Sequence, residues 1–116
     1  MITKIIKYIN EIYTIEKGPG IDDYVICIDK NVTDKNLEYF INTHIGQYDH
    51  YDYDYNTFVV KYNIDDVNEI IKNYPYIVKF FDEKSMYHFD GYKSMIYWSK
   101  DKEELEMILA AKNFNL

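Results

Sequence analysis

The chain contains no arginine, although it has 13 lysines. Arginine is the residue best suited to paired hydrogen bonds with a phosphate group or with guanine, so this absence argues against specific recognition of nucleic acid. The net charge of −7 acts in the same direction, because it repels the phosphate backbone of DNA or RNA. We therefore expect no direct nucleic-acid partner.

Cysteine and glycine are also scarce. Cys27 is the only cysteine, which excludes a disulfide within the chain and fits a reducing compartment. It lies in the apolar run 25–28, where burial disfavours a thiolate, so we expect a core residue rather than a nucleophile. Only four glycines occur, and Gly18-Pro19-Gly20 has neither the spacing nor the lysine of a phosphate-binding loop. Because no catalytic motif is found, the sequence predicts a protein without enzymatic activity or cofactor.

Long apolar runs are missing as well. No stretch approaches the roughly 18 uninterrupted apolar residues of a membrane span. Lys4 and Lys7 interrupt the N-terminal segment, which lacks the apolar block of a signal peptide. An apolar content of 47% nevertheless favours a globular fold over disorder. We expect a cytoplasmic protein with no membrane partner.

The most distinctive segment present is residues 48–55, which read Tyr-Asp-His-Tyr-Asp-Tyr-Asp-Tyr. Successive side chains of a strand point to opposite faces, so one continuous strand would separate rings from carboxylates. The predicted faces are Tyr51, Tyr53 and Tyr55 on one side, and His50, Asp52 and Asp54 on the other. Residues 49–69 contain six carboxylates and one lysine, so −5 of the net −7 falls in about a fifth of the chain.

Hydrophobic period, capping residues and turn signals predict ten secondary-structure elements. Helices are expected over residues 2–13, from an N-cap at Thr33 to Gly46, from Asp66 up to Pro75, and from Asp101 onward. Strands are expected over residues 24–28, 48–55, 58–62, 76–81, 86–89 and 93–98. The expected buried helix positions are Leu37, Phe40, Ile41, His44 and Ile45, then Val67, Ile70, Ile71 and Tyr74, then Leu105, Ile108 and Leu109. Asp90-Gly91 predicts a tight hairpin between the last two strands.

This order predicts a single α+β domain over residues 1–116 with a mostly antiparallel sheet. The middle part, residues 24–81, matches the β-α-β-β-α-β order of a ferredoxin-like unit. A C-terminal hairpin and N- and C-terminal helices would be additions to that unit. Such a fold hosts many functions, so the function has to be argued from surface chemistry.

The preferred interpretation is a non-enzymatic inhibitor whose acidic surface docks on a basic, nucleic-acid-binding surface of a partner protein. Spaced carboxylates can replace phosphates, and tyrosines supply contact area at low entropic cost. The predicted contact residues are Tyr48, Asp49, Tyr51, Asp52, Tyr53, Asp54 and Tyr55, with Asp65, Asp66 and Glu69 as flanking charges. In composition and size alone the chain is similar to anti-defence proteins of phages and mobile elements, such as anti-CRISPR or anti-restriction nucleic-acid mimics. These would act in the host cytoplasm.

Four alternatives remain open from the sequence. An immunity protein or antitoxin blocking a nuclease uses the same physics. A ferredoxin-like ligand- or RNA-binding domain would stack bases on sheet residues, here Tyr24, Phe58, Val60 and Tyr62. A small metal-dependent hydrolase would use the pairs His50/Asp52 and His88/Asp90, whose ligands could converge if the two strands were neighbours. A plain assembly component would use the tyrosines in a homo-oligomeric interface.

Overall fold

The computed structural model describes residues 18–91 and 94–113. The helix predicted over residues 2–13 lies outside this range. The strands are β1 (Tyr24–Cys27), β2 (Ile45–Asp52), β3 (Thr57–Lys61), β4 (Met86–Phe89) and β5 (Met95–Ser99). The α-helices are α1 (Lys35–Thr43), α2 (Ile64–Asn73) and α3 (Lys102–Asn113), and a 3₁₀ helix covers Pro75–Phe80.

The three α-helices of the described residues begin at side chains that accept hydrogen bonds from the first free backbone N–H groups. Asp34 caps α1, because its Oδ1 accepts from Asn36 N and Leu37 N at 3.0 and 2.9 Å, so the predicted cap at Thr33 is off by one residue. Asn63 caps α2, which places Asp66 inside the helix rather than at its start. Asp101 accepts from Glu103 N at 3.0 Å at the start of α3, as predicted.

The five strands form one antiparallel sheet in the order β4-β3-β2-β1-β5. The predicted pairing of β2 with β3 is confirmed, with Tyr48 opposite Val60. Its register shifts between Tyr48 and His50, so β2 carries a bulge at Asp49. The sheet and its helices make a compact α+β domain, as the sequence predicts.

Two local predictions are wrong, the first for a local reason and the second because strand pairing overrides it. Residues 76–81 do not form a strand: Pro75 occupies the first turn of the 3₁₀ helix, for which its fixed φ is suited. Asp90-Gly91 does not join a hairpin, because β4 pairs with β3 at one edge of the sheet and β5 pairs with β1 at the other. Without the strand at 76–81, the ferredoxin-like order is not confirmed.

Each face of the sheet has its own apolar layer. On one face, α1 and the 3₁₀ helix bury a cluster that includes Cys27, Leu37 and Phe40. On the other face, α3 packs Leu105, Ile108 and Leu109 against Ile26 of β1. Cys27 is fully buried, which confirms the predicted core residue, and this burial raises the pKa of its thiol far above the ordinary value.

The predicted apolar face of α2 is only partly buried. Val67 is fully enclosed, whereas Ile70 and Ile71 pack at the margin of the core and Tyr74 is exposed. The predicted burial of His44 and Ile45 is also partial. None of the described helices is both long enough and apolar enough to cross a membrane.

Replacing Leu37 and Ile71 by alanine tests this difference in burial. Leu37→Ala should lower the free energy of unfolding by about 2–5 kcal/mol, because it empties a fully enclosed site. Ile71→Ala should cost only about 1 kcal/mol, because part of that side chain already contacts water. Urea unfolding measures both variants, and equal losses would contradict the described packing.

Gly46 lies within β2 and does not end α1, contrary to the prediction. A Cβ atom there would collide with Val60 Cγ1 and crowd the Lys61 carbonyl oxygen at 3.2 Å. Gly46→Ala should therefore destabilise the protein by about 1–3 kcal/mol in thermal or urea unfolding. Gly91→Ala is the matched control, since a Cβ at Gly91 has open space. A Gly46 variant as stable as the Gly91 variant would contradict the close approach of β2 and β3.

Candidate protein-binding surfaces

The acidic, tyrosine-rich segment 48–55 is half strand and half turn. β2 ends at Asp52, and residues 53–56 form the turn that leads into β3. The predicted alternation of Tyr51, Tyr53 and Tyr55 on one face is therefore wrong. The bulge also matters, because it puts Tyr48 and Tyr51, three residues apart, on the same face of the sheet.

Side chains of the segment fix the shape of this turn. Asp52 Oδ1 accepts hydrogen bonds from Asp54 N at 3.0 Å and from Tyr55 N at 3.4 Å. Asn56 has a φ of +54°, a conformation that asparagine tolerates better than most residues. Its Oδ1 accepts from the Tyr51 hydroxyl at 3.2 Å. The backbone of the turn is thus held by its own residues.

The tyrosines of the segment run from the core to solvent. Tyr48 is buried against Phe58. This burial, and to a smaller extent the nearby Tyr53 and Tyr51, raises the pKa of the Tyr48 hydroxyl. Tyr51 lies edge-on to Phe58 and to Tyr53, with ring centroids 4.9 and 4.7 Å apart. Tyr53 and Tyr55 are 82% and 76% exposed. Only these last two rings are freely available to a partner.

The carboxylates of the segment also differ in how accessible they are to a partner. Asp49 Oδ2 lies 2.6 Å from His50 Nδ1, and Asp52 is engaged in the turn. Asp54 is exposed, and its side chain makes no hydrogen bond or ion pair with the described residues. In that same part of the chain, no lysine forms an ion pair with any of the three. Tyr53, Asp54 and Tyr55 are therefore the accessible core of the predicted site, which we name the β2–β3 turn.

The flanking charges Asp65, Asp66 and Glu69 lie elsewhere. They belong to α2, which follows the far end of β3. A strand of this length spans about 17 Å, so they do not extend the surface of the β2–β3 turn. The exposed members of the predicted contact set thus lie in two separate places, and Tyr48 belongs to the core.

The second surface is a groove between α1 and α2, about 320 Å³ in volume, which the sequence did not reveal. Its lining is aromatic, amide and acidic: Asn36, Tyr39, Phe40, His44, Asp66, Glu69, Ile70, Asn73 and Tyr74. The one local signal is Tyr39, a large ring on the solvent side of an amphipathic helix and 71% exposed. We name this surface the inter-helix groove.

The groove contains hydrogen-bond acceptors of known orientation. The ring of His44 stacks on Phe40, with centroids 4.1 Å apart. Its Nδ1 lies 2.9 Å from the Phe40 carbonyl oxygen, which can only accept, so Nδ1 carries the proton. In the neutral ring Nε2 is then an acceptor. Neither Asp66 nor Glu69 has an ion-pair partner among residues 18–91 and 94–113.

The 3₁₀ helix is anchored beside this groove. The Tyr76 hydroxyl donates to Asp34 Oδ2 at 2.7 Å and accepts from Asn36 Nδ2 at 3.2 Å. Hydrogen bonding by Tyr76 and by the N–H of Leu37 lowers the pKa of the Asp34 carboxyl. The start of α1 and the 3₁₀ helix are therefore linked by side chains.

The predicted metal ligands do not converge. His50 and His88 share one face of the sheet, but β3 separates their strands. His88 instead contacts Asp82 Oδ2 at 2.8 Å and Thr57 Oγ1 at 2.9 Å, and Asp90 accepts from Asn31 at 3.3 Å. In the described part of the chain, no three potential ligands cluster.

The predicted base-stacking surface is not open either. Val60 and Tyr62 are fully buried beneath α1 and the 3₁₀ helix, and Phe58 is partly buried at the edge of the same cluster. Tyr24 belongs to the opposite layer, next to Ile26. These four residues therefore cannot form one exposed platform for RNA bases.

No protein-family model, curated protein or solved structure matches the chain. A function for the chain therefore has to be inferred from its fold and from the chemistry of the two surfaces. Both surfaces combine exposed tyrosines with unpaired carboxylates, a combination suited to contact with a basic protein.

Substitutions at Asp52 test the role of its side chain in the turn. Asp52→Ala should expose the Tyr55 amide and increase its hydrogen-exchange rate several-fold, with a loss of stability of about 0.5–1.5 kcal/mol, because two acceptor contacts are lost. Asp52→Asn keeps an acceptor oxygen and should stay close to the wild type. Equal exchange in the two variants would show that charge, not hydrogen bonding, maintains the turn.

Proposed function

We propose that this protein is a non-enzymatic inhibitor that inserts the β2–β3 turn into a basic, nucleic-acid-binding surface of a partner protein. The observation that supports it most is the exposed trio Tyr53, Asp54 and Tyr55 on a turn whose backbone is already fixed. A preformed loop loses little conformational entropy when it binds, so more of the contact energy appears as affinity.

The chemistry of the trio matches such a partner. The rings of Tyr53 and Tyr55 offer apolar area with hydroxyl groups at the rim, as in many protein-binding loops. The unpaired carboxylate of Asp54 takes the position that a phosphate would occupy on a nucleic-acid-binding surface. The net charge of −7 adds long-range attraction, which increases the association rate and weakens as salt is added.

The proposed partner is a nuclease or a nucleic-acid-binding complex in the same cytoplasm. An anti-CRISPR or anti-restriction protein of a phage would bind such a target, and an immunity protein or antitoxin would bind a toxic nuclease. These classes use one surface chemistry and differ in the identity of the partner. Identifying a partner that DNA displaces from this protein therefore shows which class applies.

A charge reversal with a matched control tests the proposal. Asp54→Lys should weaken partner capture at least about tenfold, roughly 1.4 kcal/mol, because it places a cation against a cationic surface. Glu106→Lys on α3 changes the net charge by the same amount at an exposed position away from the turn, and should bind almost as well as the wild type. Biolayer interferometry measures the affinity of both variants and of the wild type for the partner proteins captured from the host.

Two further measurements make the test specific. Duplex DNA added to the captured complex should displace the protein, and the Tyr53→Ala, Tyr55→Ala double variant should lose inhibition of the partner's nucleic-acid activity. If the two lysine variants lose binding equally, only net charge matters and the turn is not the contact. If DNA and the protein bind the partner together, the proposed blocking mechanism is wrong.

A further inference from the structure

The inter-helix groove is acidic, concave and aromatic, and it is separate from the β2–β3 turn. Its carboxylates, Asp66 and Glu69, come from α2, and Tyr39 faces them from α1. Among residues 18–91 and 94–113, no lysine belongs to its lining. We infer that this groove binds the side chain of a lysine from the basic partner, an inference that rests on the proposed function because it takes that partner to be a protein.

The shape of the groove suits an alkyl chain that ends in a cation. The half-buried Ile70 and the rings of Tyr39 and Tyr74 provide apolar surface against which methylene groups can pack. The volume of about 320 Å³ is at the small end of ligand sites, enough for one side chain rather than for a large molecule. The long aliphatic stem of lysine matches this surface, and its compact ammonium group needs no planar pair of acceptors.

The groove presents carboxylates and ring faces to an ammonium group, beside the amides of Asn36 and Asn73. Asp66 and Glu69 supply negative charge. Tyr39 and Tyr74 can add attraction between the cation and their ring faces. Asp66 is partly buried, so its interaction with a cation is screened less than that of a fully exposed carboxylate.

The walls of the groove are held in place by the core. Leu37 and Ile41 anchor α1, and Val67 anchors α2, all three with no measurable exposure to solvent. The hydrogen bond from Tyr76 to Asp34 fixes the start of α1. The site therefore exists before the partner arrives, and binding a lysine needs no rearrangement of the helices.

The two surfaces would give the protein two points of contact with its partner. β3 separates the β2–β3 turn from the start of α2 by about 17 Å. Two linked contacts reinforce each other when one partner reaches both, because the second is made at high effective concentration. A basic groove on a nuclease can present lysines over this distance.

Titration of the isotope-labelled protein with short peptides, followed by NMR, tests the site. The probe is a capped Gly-Lys-Gly peptide, and the control peptide replaces lysine by diaminobutyrate, which has the same charge on a shorter stem. The lysine peptide should shift the amides of Asn36, Tyr39 and Tyr74 and bind at least about threefold more tightly than the control. Equal affinities, or shifts spread evenly over all acidic surfaces, would overturn the proposal.

Matched variants separate the groove from general electrostatics. The double variant Asp66→Asn, Glu69→Gln should weaken the lysine peptide about fivefold or more, while Glu106→Gln on α3 should leave its affinity unchanged. Tyr39→Leu, at an exposed position, should weaken it about twofold to fivefold by removing the ring face. An unchanged affinity in the double variant would overturn the assignment of the carboxylates.

Two more comparisons distinguish this inference from the proposed function. Asp54→Lys should leave the peptide affinity of the groove nearly unchanged while it weakens partner capture, so the two surfaces fail independently. n-Butylamine, a free cation with the same stem and the same single charge, is titrated in parallel. If n-butylamine fills the groove more tightly than the peptide and blocks it, the occupant is a small molecule and the partner lysine is the wrong assignment.

Discussion

The pairing of β2 with β3 determines where both candidate surfaces lie. Gly46 allows the two strands to approach closely at Val60, and the bulge at Asp49 resets which side chains face the core. One end of the pair is the turn that presents Tyr53 to Tyr55, and the other end leads into α2. A change of register in this pair would move the turn, the start of α2 and the groove together.

The sequence predicted elements whose signals are local. The apolar run around Val25, the stripe of Leu37, Phe40 and Ile41 and the cap at Asp101 all report interactions within a few residues, and the structure contains them. The prediction of a hairpin at Asp90-Gly91 is wrong because strand pairing depends on contacts between distant parts of the chain. The turn propensity of this dipeptide is real, but pairing of β4 with β3 and of β5 with β1 outweighs it. Such partners are chosen across the whole chain and leave no mark in a short segment.

The candidate site also contains parts that follow from the local sequence and parts that depend on distant contacts. Tyr53, Asp54 and Tyr55 were predicted as contact residues but as part of a strand, whereas the structure exposes all three because they lie in a turn. The burial of Tyr48 was not predictable, because it depends on a bulge and on Phe58 across the strand pair. The groove could not be predicted from the sequence, because its two walls come from helices whose relative placement depends on the sheet beneath them.

The graded burial of the tyrosines separates recognition from folding within one short segment. Tyr48 and Tyr51 contact Phe58 and so contribute to the core, whereas Tyr53, Asp54 and Tyr55 project beyond it. Mutations at the outer three positions can therefore retarget the loop with little penalty to the scaffold. Sequence change at the tip of the segment thus leaves the packing of the sheet intact.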